Sequence, residues 1–409
     1  MNINFLMKDL LHRKKIVFLL IIQTIIYVYF LINFFSINMF QKDYTKNYHN
    51  SFPINNGVFI SDMESLEKVN NKQALDFLNY IDNNLDVKQY KLYLKDHLTA
   101  KDFNIDNLKY IQNYLIEGEI GKGLVPYYKL DYNYYFQIKE YIDGSGFTKE
   151  DFHKEVEFTP LILGKNFKKD YKIGDTILSN NNKIKFKVVG FLNKNLLIFE
   201  GDPIGGTNSL DGSFITPLNR KEFLDDYNLG MALKNIIIEF KDNINYKNAV
   251  TKVQNMSNKI GLNIILSDFL IPLNKFLEDI ESQVKFESLK VNIFTVLSLG
   301  VFILSIINFI NLRRNEIGIL YAIGANIKDI IILICFDIIV VMILGYLISL
   351  PLYIHNSKLI VFFFVNNFHI KNFILAFFSL FFIGILSLII PCYKIIKLKP
   401  KDLIGGFRQ

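Results

Sequence analysis

The chain has 409 residues, 51% of them hydrophobic, and carries a formal net charge of +7. So apolar a composition is unusual for a soluble protein, and the uneven spread of charge divides the chain into a membrane part and a polar part. Basic residues flank the apolar runs (His12 to Lys15, Arg313 and Arg314, Lys394, Lys397, Lys399, Lys401 and Arg408), so the positive balance reads as a membrane-topology signal, against a nucleic-acid partner.

Residues 1–15 form a basic cytoplasmic N-terminus. The apolar run at 16–39 is too long for a cleavable leader, and Asn38, Met39, Phe40 and Gln41 offer no small-residue cleavage site. It reads as a retained first transmembrane helix with the N-terminus inside. Residues 40–272 are then extracytoplasmic, rich in tyrosine, asparagine and lysine. Both cysteines, Cys335 and Cys392, lie in apolar runs elsewhere, so a packed core and not a disulfide must stabilise this block.

Within it, Gly57 to Ser61 reads as a strand, followed by a helix capped by Asp62 with Leu66, Val69, Leu75, Leu78 and Ile81 as its apolar face. Residues 87–94 alternate as a half-buried strand should. A strand at 235–240, a helix at 246–260 and a strand at 262–266 repeat the pattern, so two βαβ-like halves flank an insert at about 118–229. The insert reads as mostly β, with a hairpin from 173–177 through Asn180, Asn181 and Asn182 into 184–191.

Residues 273–312 form a stalk and the second transmembrane helix. No glycine or proline interrupts 273–298, so one helix running on to Asn311, ~58 Å long, is open to this stretch, as is a break near Glu287. Arg313 and Arg314 stop the span, and 313–329 form a cytoplasmic loop. A third span at 330–351 ends on Pro351. An external loop at 352–371 holds an apolar stretch too short to cross, and a fourth span at 372–393 leads into a cytoplasmic tail at 394–409.

The loop sequence Arg313-Arg314-Asn315-Glu316-Ile317-Gly318-Ile319-Leu320-Tyr321-Ala322-Ile323-Gly324-Ala325 closely resembles the RRxEIGxLRAxGA signature that follows the second span in ABC permeases of the MacB/FtsX type. Tyr321 stands where that family often has arginine. Residues 160–167 and 172–175, leading to Val188-Val189-Gly190-Phe191, resemble the family's external core domain, and the tail from Pro391 resembles its ending. The resemblance implies an α-helical membrane protein with four transmembrane helices plus a large α+β extracytoplasmic domain, a βαβ porter-like part holding an inserted β-rich sabre-like part. It also implies a non-catalytic subunit in the cell membrane, N- and C-termini cytoplasmic, that pairs with a second permease (the same chain or a paralogue). A separate cytoplasmic ABC ATPase would bind ATP and Mg and drive the external domain by mechanotransmission.

The chain has no phosphate loop of its own. Gly118-Glu119-Ile120-Gly121-Lys122-Gly123 has the wrong spacing and reads as a turn. The six histidines show no ligand spacing, so no metal is expected, and no nucleophile elbow appears. Arg313, Arg314, Glu316, Ile317, Gly318, Leu320 and Gly324 are the expected ATPase-coupling residues. The arginines would anchor at lipid headgroups or acidic ATPase residues. Ile317, Ile319, Leu320 and Ile323 would fill a groove on the ATPase, and the glycines would allow close approach and a sharp turn. The bland reading is a plain inter-span loop.

Asp337, inside the third span, needs a partner or a proton. Asn308, Asn311, Lys14 and Lys15 are candidates, and its role is a structural contact, a moving part or a proton site. Tyr127, Tyr128 and residues 132–136 are either buried aromatics or a substrate contact. The function expected is export or extraction of a peptide or lipopeptide. Two others stand beside it: FtsX-like control of a cell-wall hydrolase, and a motorless peptide receptor.

Overall fold

The computed structural model describes residues 14–63, 69–103, 112–116, 119–153, 157–179, 183–199, 207–218, 229–230, 233–357 and 370–397. His12, Arg13, Leu66, Gly118, Asn180, Asn181, Asn182, most of the loop after the third span and the tail beyond Lys397 lie outside them. The elements run α1 (Lys14–Ser51), β1 (Gly57–Met63), α2 (Asn71–Asn83), β2 (Val87–Lys91), β3 (Tyr93–Thr99), β4 (Gln112–Ile116), β5 (Glu119–Leu130), α3 (Tyr132–Ile138) and β6 (Ile142–Gly144). Then come β7 (Thr159–Leu163), β8 (Thr176–Leu178), β9 (Lys185–Leu192), β10 (Leu197–Phe199), β11 (Thr207–Ser209), β12 (Phe214–Pro217), β13 (Ile237–Phe240), α4 (Tyr246–Ile260) and β14 (Ile264–Asp268). The chain continues through α5 (Leu270–Leu312), α6 (Arg314–Ala322), α7 (Ile327–Ser357) and α8 (Ile370–Lys397). Two compact units result, residues 1–43 with 279–409, and residues 44–278.

The first unit is helical. Among the described residues four helices are long and apolar enough to cross a membrane: Lys15–Ser51, Asn274–Leu312, Ile327–Ile354 and Ile370–Lys397. Its core joins Tyr27, Val28 and Ile32 to Phe302, Ile306, Ile334, Ile338, Ala376 and Leu380. Small residues set how closely these helices approach. A Cβ on Gly345 of α7 would sit 2.7 Å from the Thr24 Cβ of α1, and one on Gly384 of α8 would sit 2.6 Å from the Met342 terminal methyl. Ser36 joins three helices, accepting from the Tyr353 hydroxyl at 3.2 Å and the Asn372 amide at 3.1 Å.

Several expected boundaries move. α1 does not stop at Met39. Tyr44, Tyr48 and Phe52 keep a four-residue spacing past the apolar run, and packing against Phe276 and Phe269 extends the helix to Ser51. α5 runs unbroken through Glu287. Pro351, the expected end of the third span, lies inside α7, which continues as helix to Ser357. A proline removes one N–H from the ladder, and helix neighbours in a membrane make that tolerable. Pro391 likewise lies inside α8.

Among the described residues the second unit is built on two large sheets, with β10 and β11 paired antiparallel as a separate two-stranded one. The four-stranded one has the order β14-β1-β13-β2, with all neighbouring pairs antiparallel. β1-α2-β2 and β13-α4-β14 thus interleave as a split βαβ pair. Ala74, Phe77, Leu78 and Ile81 of α2 and Ala249 and Val253 of α4 cover the sheet with one apolar core. The start of α2 is set by Asn70 and not by Asp62: the Asn70 side chain accepts the Gln73 N–H at 2.9 Å, and Gln73 returns the bond to Asn70 N–H at 3.2 Å. At the outer strand, Gln254 of α4 donates to the Ile264 carbonyl at 2.6 Å and accepts the Leu266 N–H at 3.3 Å.

The second sheet has the order β3-β5-β12-β7-β9-β6, with β4 on β5 and β8 on β9. It takes in β3 and β4, upstream of the expected insert start near Gly118. The glycine-rich segment is a strand, not a turn: residues 119–123 belong to β5, where Lys122 faces Asn113 and Glu119 faces Ile116. Gly164, after β7, lies so close to the Leu210 and Asp211 carbonyls that any Cβ would strike them, at 2.3 and 2.2 Å. Gly174 turns with φ +97 ahead of Asp175. The motif at 160–175 is therefore built into the sheet.

Candidate coupling site

α5 passes into α6 through Arg313. Its N–H is shared between the Phe309 and Ile310 carbonyls at 3.2 and 3.0 Å, and its own carbonyl accepts the Ile317 N–H at 2.8 Å. The expected loop is thus helical for nine residues, Arg314–Ala322. It ends where the Ala325 N–H reaches back to the Leu320 carbonyl at 2.9 Å and Gly324 takes φ +90. That is a left-handed closing residue, the conformation glycine enters most readily. Asn326 then accepts the Asp329 and Ile330 N–H groups at the start of α7.

α6 has two faces. Ile317 and Gly318 are buried, and Leu320 packs against the helical core. Asn315, Ile319 and Ile323, spaced four apart, form an exposed row, with Ile319 63% and Ile323 75% exposed. The four apolar residues expected to enter one groove therefore divide: Ile317 and Leu320 anchor the helix, while Ile319 and Ile323 face out. Among the described residues, no atom beyond its chain neighbours lies within 4 Å of a Cβ placed on exposed Gly324, so the feature it shows within this chain is its backbone conformation.

Asp337 and Arg313 form the polar heart of the site. The Asp337 side chain is 2% exposed and that of Arg313 is 5% exposed, and the guanidinium Nη1 donates to Asp337 Oδ2. The guanidinium Nε donates to Glu316 Oε2 at 3.1 Å, and its centre stands 5.2 Å from the Phe309 ring. The geometry overturns two expectations. Arg313 is turned inward and does not reach for headgroups, and Asp337 pairs with it and not with Asn308 or Asn311, both of which are exposed on α5. Lys15 is also exposed, and the Lys14 side chain lies outside the described residues. A buried charge demands an opposite one, and an arginine offers two edges to two carboxylates. Arg314, half-buried, remains the arginine nearer the surface.

Tyr127, Tyr128, Tyr134 and Tyr135 are buried in the second unit. Phe136 is exposed, at 63%, beside Tyr132. The aromatic stretches thus serve the core, apart from that one ring. Among the described residues no group of three His, Cys, Asp or Glu side chains is placed to hold a metal ion.

Residues 291–400 match the FtsX-like permease C-terminal family, a segment that contains α6, Arg313 and Asp337. The periplasmic region of MacB from Actinobacillus actinomycetemcomitans is a similar solved structure, at TM-score 0.33 and 11% identity, covering 56% of this chain and 91% of that one. No curated protein matches the chain.

Proposed function

We propose that the chain, whose residues 291–400 match the FtsX-like permease C-terminal family, is an ABC permease of the MacB/FtsX type that couples ATP hydrolysis by a separate cytoplasmic ATPase to movement of its polar domain. In this reading ATP and Mg belong to the ATPase, and the permease works beside a second copy or a paralogue in the cell membrane. Both termini and α6 face the cytoplasm, in keeping with the basic residues Arg313, Arg314, Lys394 and Lys397 that follow apolar runs. The cargo is a peptide or lipopeptide, exported or extracted from the outer face.

The observation that carries this reading is the exposed row on α6. A short helix anchored by Ile317 and Leu320 presents Ile319, and the turn that closes it presents Ile323, to the outside, which is how an apolar helix face enters a groove on a partner. Purification of the tagged protein from its native membrane in mild detergent tests it. An ABC ATPase should come with the permease at close to one copy each, and Ile319→Glu with Ile323→Glu should reduce its recovery at least tenfold. Clean permease with no ATPase, at native expression, would sink the reading and favour a receptor without a motor.

A further inference from the structure

We propose that the Arg313–Asp337 pair is the joint through which displacement of α6 is handed to α7. The proposal rests on the reading of α6 as the ATPase-facing helix, and both residues are positioning residues. Arg313 closes α5 with its N–H, opens α6 with its carbonyl and ends on α7 with its guanidinium. Asp337 lies ten residues beyond Ile327, about 15 Å along α7, so the link bypasses the turn between the two helices. That turn holds Gly324, which is left-handed and exposed, with no atom of the described residues beyond its chain neighbours within 4 Å of where a Cβ would be.

Stability alone does not account for the pair. Three apolar helices can be held by an apolar core as well as by a buried ion pair, and often better. The pair adds what apolar contacts lack, a fixed length and direction. The guanidinium is a rigid plane whose Nε holds Glu316 on α6 and whose Nη1 holds Asp337 on α7. Moving Glu316 therefore turns the plane and pulls on Asp337. The Glu316 side chain is half exposed on α6, where a docked partner would act, while the Asp337 side chain is 2% exposed.

The test replaces the pair as a unit with Arg313→Met and Asp337→Leu in the full-length chain, purified with its ATPase from native membranes. The double variant should bring the ATPase at the wild-type ratio while permease-dependent ATP turnover falls tenfold or more. Arg313→Lys, which keeps the charge but loses the fork, should fall between. A second readout uses spin labels at Ile323 and Leu347 in full-length protein with Cys335 and Cys392 changed to serine. One narrow distance should broaden in the double variant, and in Arg313→Lys if the apolar pair does not accumulate. Full turnover with an unchanged distance distribution would overturn the joint and leave the functional reading standing. Wild-type permease that brings no ATPase overturns that reading, and the joint with it.

Discussion

Glu239 and Lys91 meet at 3.1 Å across the neighbouring strands β13 and β2, with both side chains at most 5% exposed. Lys88 and Gln89 complete the carboxylate's shell at 2.7 and 2.8 Å. Burial works against the Glu239 charge, but the Gln89 and Lys88 hydrogen bonds and the Lys91 charge outweigh it and hold the carboxyl below its ordinary value of 4.5. A carboxyl lowered by folding stabilises the fold fully above its unfolded value and loses that contribution as pH falls through the folded one. Thermal unfolding of the detergent-solubilised chain should therefore show an acid limb below the ordinary glutamate range. Glu239→Gln should flatten that limb and cost about 3–5 kcal/mol at neutral pH, because Lys91 is left buried and unpaired. Glu239→Leu combined with Lys91→Met should recover most of the loss, and a double variant as damaged as the single one would count against the pairing.

Gly345 and Gly384 both allow close helix approach, yet alanine should separate them. At Gly345 the obstacle is the Thr24 Cβ at 2.7 Å with the Ile21 carbonyl at 3.3 Å, groups tied to the α1 backbone. Gly345→Ala should cost about 1–3 kcal/mol by overpacking. At Gly384 the obstacle is the far end of Met342, a flexible side chain, so Gly384→Ala should cost less than about 1 kcal/mol. Melting temperatures of the two variants in one detergent decide it, and equal losses would refute the distinction.

Gly324→Ala and Gly324→Leu should destabilise the isolated permease by the same modest amount, about 1 kcal/mol, since only the left-handed backbone is strained. Gly324→Asn should cost less, because asparagine tolerates that conformation. If ATPase recovery falls with leucine but not with alanine, the glycine is serving a close approach by the partner as well as the turn. A leucine variant much less stable than the alanine one, with no ATPase present, would contradict the open surroundings of this residue.

The sequence was most legible where one physical rule acted alone. Runs of apolar residues marked the four long helices, and the repeated strand–helix–strand pattern marked the interleaved halves. Rules in competition were harder to read. Tyr44 and Tyr48 extend α1 because their partners come from distant segments, which no local pattern reports. Pro351 reads as a helix end only if the missing hydrogen bond outweighs its membrane setting. The partner of Asp337 was within reach: a carboxylate in an apolar run calls for a cation, and Arg313 was already marked at the end of the preceding span. Reading that arginine as an anchor for lipid headgroups or acidic ATPase residues hides the pair. The split of α6 into an anchoring and an exposed face was legible in the four-residue spacing of Ile319 and Ile323, once the segment is recognised as a helix.

Gln254 closes the β14 side of the four-stranded sheet. Its amide occupies the Ile264 carbonyl and the Leu266 N–H, two main-chain groups through which a further strand would enter the ladder. A side chain thus stands in for the missing neighbour, and an extended peptide arriving at this edge finds those positions taken. Strand addition at this part of β14 would first have to displace the Gln254 amide.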